Sequence, residues 1–169
     1  DTDEVGNAPV ITSSSTFSAA ENQTAVGTAT ATDADTSDTL TYTLTGTDAA
    51  SLSINASSGV ITFNSAPDYE TKATYSVTLN VSDGTNTTSQ ALTINVTDVN
   101  ETSPVITSSS TFSAAENQIA VDTVTATDAD TSDTLTYTLT GTDASSLSIN
   151  SSSGVITFNS APDYETKPT

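Results

Sequence analysis

A chain of 169 residues with 34% hydrophobic content can build one or two small β-rich units and has little apolar material for a large core. It carries 21 Asp and Glu against two Lys, no Arg and no His, a formal net charge of −19; nucleic acid and anionic membrane surfaces, which need basic patches to meet phosphate, are excluded and cations favoured. Without Cys there is neither disulfide nor thiol chemistry, which fits secreted and cytosolic chains alike, and no apolar run approaches the roughly 20 residues of a membrane span, so no membrane insertion is expected.

No charged-then-apolar leader opens the chain, which reads as mature, soluble segment. Residues 1–7, "DTDEVGN", read as the end of a preceding linker. One strand is expected ahead of "AEN" (20–22) and a second between Glu21 and Asp33. Period-two alternation then marks "LTYTL" (40–44), where Leu40, Tyr42 and Leu44 share a face, "SLSIN" (51–55) with Leu52 and Ile54, and "GVITF" (59–63) with Ile61 and Phe63. It continues through "YSVTLNVS" (75–82), with Tyr75, Val77, Leu79 and Val81 inward, and "LTINV" (92–96), with Leu92, Ile94 and Val96 inward. Ser58-Gly59 and Asp83-Gly84 are turn signals between runs. Thr and Ser dominate the outward positions, where β-branching suits a half-solvated pleat and disfavours helix. About seven strands in the first 95 residues predict a two-sheet antiparallel sandwich.

From residue 105 the chain repeats itself: residues 10–74 align with 105–169 without a gap at a shift of 95, and six of 65 positions differ. These are Thr24/Ile119, Gly27/Asp122, Ala29/Val124, Ala50/Ser145, Ala56/Ser151 and Ala73/Pro168, which read as changes that a surface or a tolerant core accepts. Residues 8–102 form one repeat and 103–169 a second, with the joint at 98–104; the second has no counterpart to 75–102, so it is expected to lack its last two strands and to expose half of its apolar face.

The carboxylates cluster at turns and strand ends: Glu21, then Asp33, Asp35 and Asp38, then Asp68 and Glu70, then Asp83, then the joint "DVNETSP" with Asp98, Asn100 and Glu101. Hard oxygen ligands gathered at chain ends are what Ca²⁺ takes, about six to eight at a time. A solvated acidic surface would also explain acids in number, but not their recurrence in short motifs. Asp68 and Glu70 as a glycosidase pair are disfavoured because no Trp, His or Arg is available to build a sugar cleft. The sequons at Asn80 and Asn95 leave glycosylation open.

In order and spacing these motifs resemble the cadherin repeat, over essentially the whole chain. Its Glu-Asn element is similar to Glu21-Asn22 and Glu116-Asn117, its Asp-x-Asp element to Asp33-Ala34-Asp35 and Asp128-Ala129-Asp130, and its Asp-x-Glu element to Asp68-Tyr69-Glu70 and Asp163-Tyr164-Glu165. Its linker is similar to "DVNETSP", with Glu101 where Asp is usual and Thr102 where Asn is usual. The resemblance implies tandem seven-strand Greek-key, Ig-like sandwiches with Ca²⁺ at the joint. Its ligands would be Glu21, Asp68, Glu70, Val99, Asn100, Glu101, Thr102, Asp128, Asp130 and Asp133, with Val99 and Thr102 acting through their backbone. A poorer site on the N-terminal side would use Asn7, Asp33, Asp35, Asp38 and Asp83, and a half-site awaiting a further repeat would use Glu116, Asp163 and Glu165. The function implied is non-enzymatic: a calcium-rigidified stalk or adhesive fibre on the surface of, or secreted by, a bacterium. Neighbouring repeats, other copies of the protein or a surface polysaccharide are its expected partners. The alternative is a carbohydrate-binding module of a polysaccharide-associated extracellular protein.

Overall fold

The protein's structure, a computed structural model, describes residues 6–166; residues 1–5 of the expected linker, and 167–169 with Lys167, lie outside the described residues. Among the described residues there is no α-helix, only strands and two single-turn 3₁₀ segments, Ala49–Ser51 and Ala144–Ser146. No helix among the described residues is long and apolar enough to cross a membrane. The chain divides between Val99 and Asn100 into two units.

The first unit contains β1 (Val10–Ile11), β2 (Thr16–Ala20), β3 (Ala25–Thr28), β4 (Ala31–Thr32), β5 (Thr41–Thr45), β6 (Leu52–Ile54), β7 (Val60–Phe63), β8 (Thr74–Ser82) and β9 (Thr87–Thr97). One sheet has the order β2-β9-β8-β5 and the other β3-β7-β6, while β1 and β4 pair only with each other. Seven strands of three or more residues therefore build the sandwich. The long β8–β9 hairpin, registered from Thr74↔Asn95 to Ser82↔Thr87, is its spine. Alternation along it sends Val77, Leu79, Val81, Leu92, Ile94 and Val96 inward onto Leu52, Ile61 and Phe63 of the facing sheet. Leu79, Val81, Ile94 and Ile61 are fully buried, and each such side chain contributes about 1.5–3 kcal/mol over its exposed state. Between the two sheets the Phe63 and Tyr75 rings meet edge to face with centroids 5.0 Å apart, and the Lys72 ammonium lies 4.7 Å from the centre of the Tyr75 ring.

The expectation of an all-antiparallel sandwich fails at one seam. β2 pairs with β9 in parallel, Thr16↔Thr93 through Ala20↔Thr97. These are the first and last long strands of the unit, joined only through everything between them, so no tight turn forces them into opposite directions. The inner face of β2 holds Phe17 against Gly27, where a Cβ would lie 2.6 Å from the ring.

The second unit contains β10 (Val105–Ile106), β11 (Ala120–Thr123), β12 (Ala126–Thr127), β13 (Leu147–Ile149) and β14 (Val155–Phe158). Its β11-β14-β13 sheet repeats the register of the first unit, with Leu147↔Phe158 as Leu52↔Phe63. Among the described residues the four-stranded sheet has no counterpart in this unit. Residues 111–115 and 136–140, identical in sequence to β2 and β5, are not strands, so four strands are absent where two were expected to be. A strand at the edge of that sheet needs the hairpin beside it, and the counterpart of that hairpin is not in the sequence. Burial falls with it: Ile156 is the one buried large hydrophobic side chain among the described residues of this unit, whereas Ile106 and Ile119 are 68% and 54% exposed. The expectation that all six differences between the copies are innocuous also fails at one pair, because Asp122 carries a Cβ where Phe17 requires Gly27 to have none.

Candidate metal centre

In the first unit the carboxylate oxygens of Glu21, Asp68 and Glu70 lie within 4.8 Å of one another. Glu21 is positioned by a left-handed residue: Asn22 has φ 60°, a conformation Asn tolerates, and its N–H donates to the Pro67 carbonyl at 3.0 Å. That turn drives Glu21 inward to 2% exposure. There its two oxygens accept from different segments, Oε2 from the Tyr69 N–H and Oε1 from the Val99 N–H, both at 2.8 Å. One carboxylate thus ties the "PDYE" turn to the exit from β9. Asp68 caps its own turn, accepting the Thr71 N–H at 3.0 Å and the Thr71 hydroxyl at 2.9 Å.

Asp33, Asp35 and Asp38 form a second cluster, also within 4.8 Å. The Asp35 N–H donates to Asp33 Oδ1 at 2.9 Å, and Asp35 Oδ2 accepts the Asn7 N–H at 2.6 Å. Asp83 does not join this group. Its Oδ1 accepts the Thr85 and Asn86 N–H groups at 2.6 and 2.5 Å, closing the turn between β8 and β9. The Asn86 N–H above all, with that of Thr85, holds the Asp83 carboxyl below its ordinary range against the opposing effect of burial. Asn86 in turn donates from its side chain to the Gly6 carbonyl at 2.9 Å.

In the second unit the joint residues fold onto the Asp-x-Asp motif. Asp130, 1% exposed, accepts the Thr102 N–H at 2.8 Å, the Thr102 hydroxyl at 2.9 Å and the Glu101 N–H at 3.2 Å on Oδ2. The Thr102 N–H is the largest cause that keeps this carboxyl below the usual carboxylate range. Asp128 Oδ1 accepts the Thr102 hydroxyl at 2.8 Å and the Asp130 N–H at 3.1 Å, and the Asn100 side-chain amide donates to Asp133. The Thr102 hydroxyl, with one proton to give, therefore sits within hydrogen-bond reach of both aspartates, a role beyond the backbone one expected of it. Glu116, Asp163 and Glu165 gather as their first-unit counterparts do, but Glu116 is exposed and Asn117, with φ 62°, makes the same turn. A hydrogen bond shared with Glu165, then one from the Thr166 hydroxyl, lowers the Asp163 carboxyl.

The donor set is all oxygen and carboxylate-rich, and it contains a buried imbalance. Asp33 Oδ2 and Asp128 Oδ2, at equivalent positions of the two copies, are buried and accept no hydrogen bond. An anionic oxygen withdrawn from water is costly unless something positive meets it, and three carboxylates within 4.8 Å repel by about 1 kcal/mol per pair even at the dielectric of water. These residues fit a hard divalent cation such as Ca²⁺. Lys72, the one basic side chain among the described residues, is paired with Asp48 and serves none of the clusters.

The sequence model of the cadherin domain matches residues 15–97. No curated protein matches the chain. Among solved structures, mouse cadherin-23 EC22-24 is 27% identical with a TM-score of 0.70 over 94% of this chain, and the chain spans 56% of that structure's length. The human desmocollin-1 ectodomain is 26% identical with a TM-score of 0.73 over 95% of this chain, which spans 35% of it. Human protocadherin-24 EC1-2, at 23% identity, shares the fold: TM-score 0.70, 96% of this chain and 82% of that one.

Proposed function

From the premise that the chain carries a cadherin domain over residues 15–97, we propose that it is a calcium-stiffened structural repeat of an extracellular adhesive protein. Cadherin domains are calcium-binding adhesion modules, and the acidic motifs here stand in the family's order. The observation that carries the proposal for this chain is the pair of buried oxygens without a hydrogen-bond partner, Asp33 Oδ2 inside the Asp33–Asp35–Asp38 cluster and Asp128 Oδ2 at the equivalent position of the second copy.

In this reading Glu21, Asp68 and Glu70, with the Val99 carbonyl, supply ligands from the end of the first unit, and Asn100, Glu101, Thr102, Asp128, Asp130 and Asp133 supply ligands from the start of the second. Asn7, Asp33, Asp35 and Asp38 form the corresponding half-site at the start of the first unit, with Asp83 shaping the neighbouring turn, and Glu116, Asp163 and Glu165 await a further repeat. The ion supplies positive charge where carboxylates would otherwise repel. The chain's own residues fix the joint segment to each unit: Glu21 holds Val99 in the first, and Asp130 holds Glu101 and Thr102 in the second. Strung as near-identical Thr- and Ser-rich copies, such repeats form a bacterial stalk or fibre that works by stiffness, with neighbouring repeats as its first partners and other copies or surface polysaccharide as its contacts.

Calorimetric titration of Ca²⁺ into the full chain tests this. Saturable binding with Kd of about 10⁻⁴–10⁻³ M is expected, reduced in Asp128→Ala and, separately, in Asp33→Ala. A flat titration at millimolar Ca²⁺ would sink the reading.

A further inference from the structure

We infer that the Thr102 hydroxyl positions the Asp128-Ala129-Asp130 motif and sets how tightly that motif holds a hard divalent cation; this rests on the calcium reading above and adds to it a role for one oxygen. The string TDADTSD stands at 32–38 and again at 127–133 without a difference, whereas the residue that reaches back to it is Asn7 in the first copy and Thr102 in the second. Identical aspartates thus have different neighbours. Thr102 Oγ1 lies 2.8 Å from Asp128 Oδ1 and 2.9 Å from Asp130 Oδ2, and the Thr102 N–H donates to Asp130 at 2.8 Å. Asn7 meets one aspartate of its pair. Its N–H donates to Asp35 Oδ2 at 2.6 Å, its side-chain amide lies 3.4 Å from both Asp35 oxygens, and among the described residues no hydrogen bond joins it to Asp33.

The arrangement also decides the sign of the effect. A hydroxyl bonded to the oxygen that a cation needs would compete with the cation and weaken binding. Thr102 instead meets Asp128 at Oδ1, the oxygen that already accepts the Asp130 N–H at 3.1 Å, while Oδ2 is the one buried without a hydrogen-bond partner. The hydroxyl therefore orients the Asp128 carboxylate and leaves its unsatisfied oxygen alone. Its one proton serves one aspartate at a time, and a bond from it to a carboxylate is charge-assisted and so among the stronger kinds. A side chain ordered on folding does not have to be ordered again on binding, which favours affinity. In the first copy the matching carboxylate, Asp33, has the Asp35 N–H on Oδ1 at 2.9 Å and no such hydroxyl, although its Oδ2 is likewise buried without a hydrogen bond. Burial follows the same difference: Asp130 is 1% exposed, and Asp35 is half-buried.

The test titrates Ca²⁺ alone into the full, isotope-labelled chain and follows the amide resonances of Asp33, Asp35, Asp128 and Asp130, which report the two motifs separately. Thr102→Val keeps the shape and the N–H and removes the hydroxyl. It should raise the apparent Kd at Asp128 and Asp130 about tenfold and leave that at Asp33 and Asp35 unchanged. Thr102→Ser, which restores the hydroxyl, should bring the value back to within about twofold of the original, and Thr102→Asn, the first copy's residue, should behave as Thr102→Val does. In EGTA the resonances of β13 and β14 should coincide in all four proteins; their displacement in Thr102→Val would mark a general structural role and overturn the inference. Unchanged or tighter binding by Thr102→Val, or a Thr102→Ser protein as weak as Thr102→Val, overturns it as well. An original chain whose resonances do not respond to Ca²⁺ at either motif would remove the calcium reading and this inference together, whereas a responsive original with an equally responsive Thr102→Val removes the positioning role alone.

Discussion

The first and second units contain TFSAA and TYTLT in identical form, yet these are strands β2 and β5 in one and unpaired chain in the other. Fixing five backbones in an extended conformation costs on the order of 5–10 kcal/mol of conformational entropy, and nothing within five residues returns it. In the first unit the return comes from the β8–β9 hairpin, which supplies a ladder on one side and six apolar side chains beneath. The lesson is physical: β-propensity records how well a residue fits a half-buried pleat, and without a neighbour there is no pleat to fit. The β11-β14-β13 sheet persists in the second unit because all three of its strands lie within one copy of the repeat.

The strongest way to erase this contrast is to remove the hairpin's core in the first unit. Ile94→Asp buries an unpaired carboxylate at a fully enclosed position, a cost of several kcal/mol. Hydrogen exchange across 16–20 and 41–45 should then approach that of 111–115 and 136–140. If those segments stay protected, their order does not depend on the hairpin. Importing the second copy's residue is a gentler step: Gly27→Asp pushes a Cβ into the Phe17 ring and should destabilise the first unit by about 1–3 kcal/mol, whereas Ala56→Ser, the same kind of exchange at an exposed turn, should leave the denaturant midpoint unchanged. Calcium should sharpen the contrast by less. At millimolar Ca²⁺ the melting temperature of the first unit should exceed that in EGTA by the equivalent of about 1 kcal/mol per ion, and Asp68→Ala should halve the difference or more. The smallest effect concerns Asp48. The Lys72 ammonium, then the Ser76 N–H, holds its carboxyl below the ordinary range. The stability this contributes is present above the unfolded pKa of about 3.9 and is lost as pH falls through the lower folded value. In acid titrations of the melting temperature, Asp48→Asn should flatten that limb by under about 1 kcal/mol, since Lys72 is 42% exposed and the pair is screened.

Sequence pattern was most informative where alternation and local pairing agree. Leu52–Ile54, Val60–Phe63 and the hairpin around Asp83-Gly84 read as strands and form strands. It was blind to the parallel β2–β9 seam, because direction is set by the path of the intervening chain and not by the five residues of β2. It also took Gly27/Asp122 as neutral, since only the structure places Phe17 over that glycine. At the candidate metal centre the Glu-Asn, Asp-x-Asp and Asp-x-Glu motifs mark where carboxylates gather among the described residues, but not what positions them. The left-handed turn at Asn22 is the reason an Asn follows Glu21, and the signal for it, an Asn at the end of a strand and repeated at Asn117, was available. The Thr102 hydroxyl between Asp128 and Asp130 gave no such signal in a chain so rich in Thr. The local use of Asp83 Oδ1, which closes the turn between β8 and β9, is signalled by the DG pair and by Asn86 three residues on.

The parallel seam has a mechanical meaning. β2 enters near the beginning of the first unit and β9 leaves at its end, side by side over five residue pairs from Thr16↔Thr93 to Ala20↔Thr97. Tension applied through the chain on either side pulls β2 backward from Thr16 and β9 forward from Thr97, along the strands and in opposite senses. The bonds between them, together with those from Thr93 to Ser15 and from Glu21 to Thr97, are then loaded in shear as a group and cannot be peeled one at a time. Stretching this unit from its ends should require a high, sharply defined force, lowered by a substitution to proline at Thr93, whose N–H bonds Ser15 across the seam.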